Sequence, residues 1–492
     1  MRVAGVFAWA LSTAMVVTSP ADAFSGLYVG QAEGKLVNGA TSVVLARSGK
    51  RTVVSMQTEY VGPAEAFALV VPVPVVLSPD AVKTLPKGLF ERLDVISAPR
   101  LVELWQQDPC TYADITSVAT EHAGGVAGPA QEEGWMGAGM QGRYRVEVEA
   151  RFEVGEYRVA ILGAEDSLGL DAWLRDHGYR MPPDAEPALR PYVQAGSKFL
   201  VAKVDVSKVV MRDGRAALPP LRFEYDEESL RLPVRIGGVN AAETQDLVVH
   251  VLARDRYEAA NYPNLTIPTN VEVEEAARAR FGEFYAALLD ATLAKNAGAF
   301  VTEYAWDTES CDPCTGPLLS AEEQRLLGAP PGMLVHSRLH ARLGKAAPRE
   351  DLTLRVAPPI QGGRGGEGQD AVAAEVSTFQ GRYILRHRWQ GPVTCPSPDF
   401  DIWGGPPGAV RANVRPAPAI HEVTRGAIDL SAMVRDSVPA AGVVAAPRRE
   451  AGAGGKRFLL GFGLGAGAGL FGTIGVVLAA TRARRGSRRN SP

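Results

Sequence analysis

The chain has 492 residues, 46% hydrophobic and 22% charged, enough for one large or two ordinary domains with a proper core. Its formal net charge of -3 gives no basis for nucleic-acid binding, which needs a basic stripe. What remains is an ordinary folded protein, and its two ends are more informative than its composition.

The N-terminus places Met1-Arg2 before the apolar run VAGVFAWALSTAMVV and the small-residue segment TSPADA. That order predicts a secretory signal peptide over residues 1–23, cut after Ala23. An exported domain is then expected over 24–435, with a division into two lobes near 256–270. Its first part reads as β-structure: in RTVVSMQTEY, Val54, Met56 and Tyr60 alternate with Ser55, Gln57 and Glu59, the period of a half-buried strand. The next segment, FALVVPVPVVL, has prolines two apart at 72 and 74, which predicts an edge strand blunted against further pairing.

GLFERLDVISAPRLVELWQQ reads as a helical region broken at Pro99, and EHAGGVAGPAQEEGWMGAGMQG as a glycine-rich loop. Strands are expected in YRVEVEARFEV, EYRVAILGA, FLVAKVDVS and QDLVVHVLA. SLGLDAWLRDHGY has a serine start and a glycine end, the signature of a helix. A longer helix is predicted from an Asn270 cap to Gly298, with Val273, Ala277, Phe281, Tyr285, Leu288 and Thr292 on one core-facing stripe. FVTEYAW, MLVHSRLHARL, DLTLRVA and GRYILRHRW are later strands. Because strands outnumber helices without strict alternation, the fold class expected is α+β, β-rich with several helices.

Residues 436–457 have the Ala/Gly/Pro/Arg composition of a linker. Residues 458–480 carry no charge and match the length of a transmembrane helix, and the arginine-rich tail 481–492 places the C-terminus in the cytoplasm. The expected location is thus the cell membrane, single-pass, with the main domain outside the cytoplasm and membrane lipid around the helix. Gly461, Gly465 and Gly469 recur every four residues in this span, a spacing that allows two helices to pack closely as a homodimer face.

Four cysteines, Cys110, Cys311, Cys314 and Cys395, permit three pairings. In an oxidising compartment disulfides are expected, and the preferred set is Cys311–Cys314 with Cys110–Cys395. The competing role for SCDPCTG is a redox centre. Against it, Thr315-Gly316-Pro317 separates the second cysteine from a helix predicted to start at Ser320, capped with Glu323, so no helix N-terminus stabilises a thiolate. Asp312 between the cysteines opposes a thiolate by like charge. A zinc site needs more ligands than one such pair supplies.

His336 and His340 alternate with apolar residues on a strand whose other members are Arg338 and Arg342, so this face is read as solvated or anion-facing rather than metal-binding. His122, His177, His250, His387 and His421 are scattered. Nucleophile elbow, phosphate loop and calcium loop motifs are absent from the sequence, so no catalytic residue, metal ligand or cofactor site is assigned.

The segments FSGLYVGQAEGKLVNGATSVVLA, RTVVSMQTEYVGPAEAFALVVPVPVVL, APRLVELWQQDPC, RFEVGEYRVAILGAEDSLGLDAWL, FVTEYAW with CDPC, and GRYILRHRW together resemble an uncharacterised bacterial family, domain of unknown function number 2330. The resemblance runs from Phe24 to about Trp389 and implies an exported, envelope-associated protein without an assigned activity. The function expected is that of a non-enzymatic envelope module that binds a partner or has a structural role. The alternative is an extracytoplasmic thiol-disulfide oxidoreductase using Cys311 and Cys314.

Overall fold

The structure, a computed structural model, describes residues 26–447 apart from 31–36, 62–66, 111–143, 210–214, 241–243, 345–349, 364–367, 410, 420–422, 424 and 426–427. The expected signal peptide, the glycine-rich loop, the span 458–480 with Gly461, Gly465 and Gly469, the basic tail, and His122 and His421 lie outside the described residues. Among the described residues no helix is long and apolar enough to cross a membrane.

In chain order the main elements are β1 (Leu27–Gly30), β2 (Val37–Ser48), β3 (Arg51–Val61), β4 (Phe67–Val73), α1 (Gly88–Ser97), β5 (Arg100–Gln106), β6 (Val146–Val154), β7 (Tyr157–Ala164), α2 (Ser167–Asp176), α3 (Ala185–Gln194) and β8 (Lys198–Val204). They continue with β9 (Leu221–Asp226), β10 (Thr244–Ala253), α4 (Glu275–Ala279), α5 (Phe281–Ala294), β11 (Phe300–Asp307), α6 (Ala321–Leu326), β12 (Val335–Gly344), β13 (Arg382–His387) and β14 (Asn413–Pro416). The class is α+β.

A 12-stranded sheet forms the centre, with the order β11, β12, β10, β2, β3, β9 in its middle. Every pairing in that run is antiparallel except β10 with β2, which is parallel, Leu247 lying opposite Thr41. Strands from both sides of residues 256–270 therefore share one sheet, and the described residues up to Ala446 fall in one unit. A five-stranded antiparallel sheet, β1-β4-β8-β7-β6, packs on one face of it through Val43, Leu45, Met56, Val249, Phe67, Leu69 and Ile161. Helices α2 and α3 cover the outer face of that smaller sheet through Leu170, Leu174, Leu189 and Tyr192. On the opposite face of the central sheet lie α1, with Leu89, Phe90 and Leu93 against Val44, Val53 and Leu252, and α5, with Phe284, Leu288 and Leu289 beside Val301 and Ala305.

Covering both faces of the central sheet changes how its strands should be read. Thr52, Val53, Val54, Ser55 and Met56 are all buried, so β3 is not the half-buried strand that its alternation predicts. The proline strand β4 is also not at an edge, since it runs between β1 and β8. Pro72 is accommodated because β1 ends opposite Val70, leaving that side unpaired beyond it, and Pro74 falls outside the strand.

RLVELWQ after Pro99 is a strand rather than a continued helix. Ala98 takes an extended ψ of 147° before the proline, and β5 then gains a parallel partner in β13. The long helix starts later than expected. Asn270 has φ of 51°, Val271 and Glu272 pair with β13, and helix forms only from Glu275, with a break at Arg280. The expected stripe is nevertheless buried at every position named, Val273 through Thr292. Helix α2 is capped by Asp166, whose carboxylate accepts from Leu168 and Gly169 N–H, one residue ahead of the serine expected there. The start of the expected linker is also folded: Val438, Ala441 and Val443 are buried with Met433 and Val434 against the α5 cluster, because these apolar side chains find a hydrophobic surface that composition does not reveal.

Helix α6 has the capping box expected of Ser320 and Glu323. Just past its Leu327 cap stands Gly328, φ 78°, where an added Cβ would lie 2.5 Å from Val53 Cγ2. Gly328→Ala is therefore expected to cost more than about 1 kcal/mol, measured by chemical denaturation, because strain and a clash with the core act together.

Candidate functional site

The strand read as a solvated or anion-facing His/Arg face is buried. His336, Arg338 and His340 are each at most 3% exposed, on the side of the central sheet that faces α1 and α5. The physical reason is that neighbouring strands and helices supply the matching charges. A bulge between Thr302 and Tyr304 makes Glu303 an extra residue of β11, aimed at β12. Glu303 accepts from Arg338 Nε at 2.7 Å and lies 2.8 Å from His340 Nδ1, and the Tyr285 hydroxyl of α5 donates to it. His340 Nε2 stands 3.3 Å from Asp246 Oδ1 of β10. Arg425 Nη2 bonds both Asp246 oxygens at 2.8 Å, and Arg425 and Arg342 each reach Asp290 Oδ1 at 2.5 Å. At the other end, Arg338 Nη1 donates to Asp94 Oδ1 of α1 at 2.5 Å.

Electrostatics follow from these contacts. Burial pushes the Glu303 carboxyl up, but His340 and Arg338, with the His340 and Tyr285 hydrogen bonds, override it and hold it at about 2. Burial likewise lowers His340, yet Glu303 and Asp246 raise it to about 9, so it is an imidazolium at neutral pH. Asp246 is pushed up by burial and drawn down further by His340, Arg425 and Arg342. Beside this cluster, His250 Nδ1 and His336 Nε2 are 2.9 Å apart. Burial, with Arg338 adding to it, lowers His336 to about 3, and burial with His336 and Arg338 takes His250 well below its usual value. Both are neutral.

His340 cannot serve as a shared metal ligand with its two carboxylates in this arrangement, because Glu303 and Asp246 sit on opposite ring nitrogens rather than around one point. The cluster approaches the surface at two places, Asp290 and Asp94. At the second, Asp94 is on α1. It lies in a groove of about 460 Å³ with Glu91, Val95, Phe281, Arg415 and Ala417.

The cysteines lie elsewhere, in two pairs at disulfide distance. Cys110 and Cys395 have Cα atoms 5.4 Å apart, a pairing that follows from the parallel β5 and β13, whose C-terminal extensions run side by side. Cys311 and Cys314, Cα atoms 5.0 Å apart, form an exposed turn ahead of α6. His177 and His387 are stacked on Trp173 and Trp105.

Asp94, Asp246, Glu303 and Arg425 are not singled out by the sequence, and Tyr285 is read there only as one of a core-facing stripe. One signal was available: a glutamate inside FVTEYAW and an aspartate beside LVVHV are charges in otherwise apolar strands, and a buried charge needs a partner.

No curated protein and no solved structure matches the chain. The model of the family described as "Uncharacterized protein conserved in bacteria (DUF2330)" matches residues 19–335, which takes in Asp94, Asp246, Tyr285 and Glu303 and stops at the start of β12. With most of its length inside that match, the chain belongs to this bacterial family, DUF2330.

Proposed function

We propose that the protein is an exported, single-pass membrane protein whose β-rich domain binds an envelope partner at the Asp94 groove and catalyses no reaction there. The observation that carries this reading is the internal compensation of the cluster: Asp94, Glu303, Asp246 and Asp290 are each held by an arginine, a histidine or both. Groups so neutralised hold α1, α5 and the central sheet together, leaving the groove as a surface of fixed shape. The hydrophobic span and the arginine tail support the topology, and the four-residue glycine spacing supports a homodimer within the membrane. What weighs against a thiol oxidoreductase is the position of Cys314, six residues before the Ser320 cap and so remote from the dipole of α6.

The test is capture from the membrane fraction on the full chain, comparing wild type with Glu91→Lys and Val95→Lys. Both side chains line the groove and stand outside the buried cluster. Wild type is expected to retain a partner that both variants lose at least about tenfold, roughly 1.4 kcal/mol of binding. Equal retention by all three, or turnover of a substrate by the purified domain, would overturn the reading.

A further inference from the structure

The turn closed by Cys311 and Cys314 is tied to the helix that forms the groove wall. Pro313 O accepts from Arg100 Nη1 at 2.7 Å, and Asp312 O accepts from Arg382 Nη2. Both carbonyls belong to the ring closed by the disulfide, and both guanidiniums are buried, Arg100 at 1% exposure and Arg382 at 7%. Arg100 Nη2 in turn donates to Ile96 O at the end of α1, 2.5 Å away. Thr315 Oγ1 donates to Val95 O at 2.7 Å, and Arg92 Nη2 donates to Pro317 O and Leu318 O at 3.1 and 2.9 Å. The turn thus contacts α1 near Arg92, Val95 and Ile96, the stretch that also supplies Asp94 and Val95 to the groove.

The two disulfides differ in access. Cys314 is exposed and Cys311 half-buried, whereas Cys110 and Cys395 are both half-buried. We infer that Cys311–Cys314 is a site of reduction by an external dithiol, and that breaking it unlocks α1 and reshapes the groove. In the reaction one thiolate of the dithiol attacks Cys314 Sγ, forming a mixed disulfide and expelling Cys311 as a thiolate. The second thiol of the reductant then displaces Cys314, closing its own disulfide. Two electrons and two protons pass to the cysteine pair. Once open, the four-residue ring no longer fixes the Asp312 and Pro313 carbonyls, so each buried guanidinium loses one fixed acceptor, Arg100 keeping Ile96 O, and a buried charged donor that loses an acceptor is less favourable. The consequence for the groove rests on the binding reading above; the reduction and the loosening of α1 do not.

The experiment titrates the full chain with dithiothreitol, counts alkylated thiols by intact mass and locates them by peptide mass, and follows amide exchange. Cys311 and Cys314 are expected to be alkylated while Cys110 and Cys395 remain bridged. In that state amides of 88–97 are expected to exchange at least about tenfold faster, with 244–253 unchanged. Cys311→Ser/Cys314→Ser should reproduce the effect without reductant, and Cys110→Ser/Cys395→Ser should not. Should a variant fail to fold, the wild-type titration alone decides. Unchanged exchange in α1 with both thiols alkylated, or reduction of Cys110–Cys395 first, overturns the inference. If α1 loosens on reduction but Glu91→Lys captures as well as wild type, the latch stands and the groove reading falls.

Discussion

Replacing Glu303 by alanine is expected to lower the free energy of unfolding by about 3–5 kcal/mol, because it leaves buried cations without their shared carboxylate. Glu303 is 0% exposed, and both Arg338 and the His340 imidazolium lean on it. Solvent cannot take over the lost role at that depth, so the cost is not discounted by screening. Arg338 keeps Asp94, and His340 keeps Asp246, which prevents complete collapse. The double variant Glu303→Ala/Arg338→Met should therefore cost less than the two single changes added together, since it removes one of the stranded charges. Denaturant midpoints of the four proteins measure this directly. Additive losses would mean that the two residues do not act as a pair.

The pH dependence should show a maximum near 6.5, the ordinary histidine value from which the buried histidines depart in opposite directions. His340, raised to about 9, stabilises the fold fully below 6.5, and that contribution is lost as pH rises through 9. His336, lowered to about 3, and His250, lowered by burial beside it, stabilise the fold above 6.5 and oppose it as pH falls, because only the unfolded chain then takes up their protons. Each proton contributes a slope of about 1.4 kcal/mol per pH unit, so the acid limb, with two histidines, should be about twice as steep as the alkaline one. Glu303, held at about 2, adds to the acid limb below its usual value of 4.5. Denaturation at about pH 5, 6.5 and 8 should show this, with His340→Gln flattening the alkaline limb and His336→Asn halving the acid one. A monotonic profile would contradict the arrangement.

Much of the fold was legible where local chemistry decides it. The Ser320–Glu323 cap, the Phe281-to-Thr292 stripe and most strands follow from side-chain period and end signals that act over a few residues. The errors arise where a distant partner decides. RLVELWQ has a pattern that suits a helix until β13, nearly three hundred residues away, offers it a parallel neighbour. The His/Arg strand reads as hydrophilic from its own residues alone. Its burial depends on Asp94, Asp246, Glu303 and Arg425, which come from four separate stretches and meet only in the folded chain. A charge pattern on one strand carries no information about such partners, which is why the cluster went unseen.

The parallel contact between β2 and β10 has a bearing on how the molecule comes into being. β2 and β3 can join early as neighbours, but the far flank of β2 stays open until a strand roughly two hundred positions downstream arrives. During that interval Val43, Val44 and Leu45 form a bare apolar ribbon, the kind of surface on which nascent chains stick to one another. Anything that shields this ribbon until Leu247 and Val249 arrive would govern yield without altering the finished architecture.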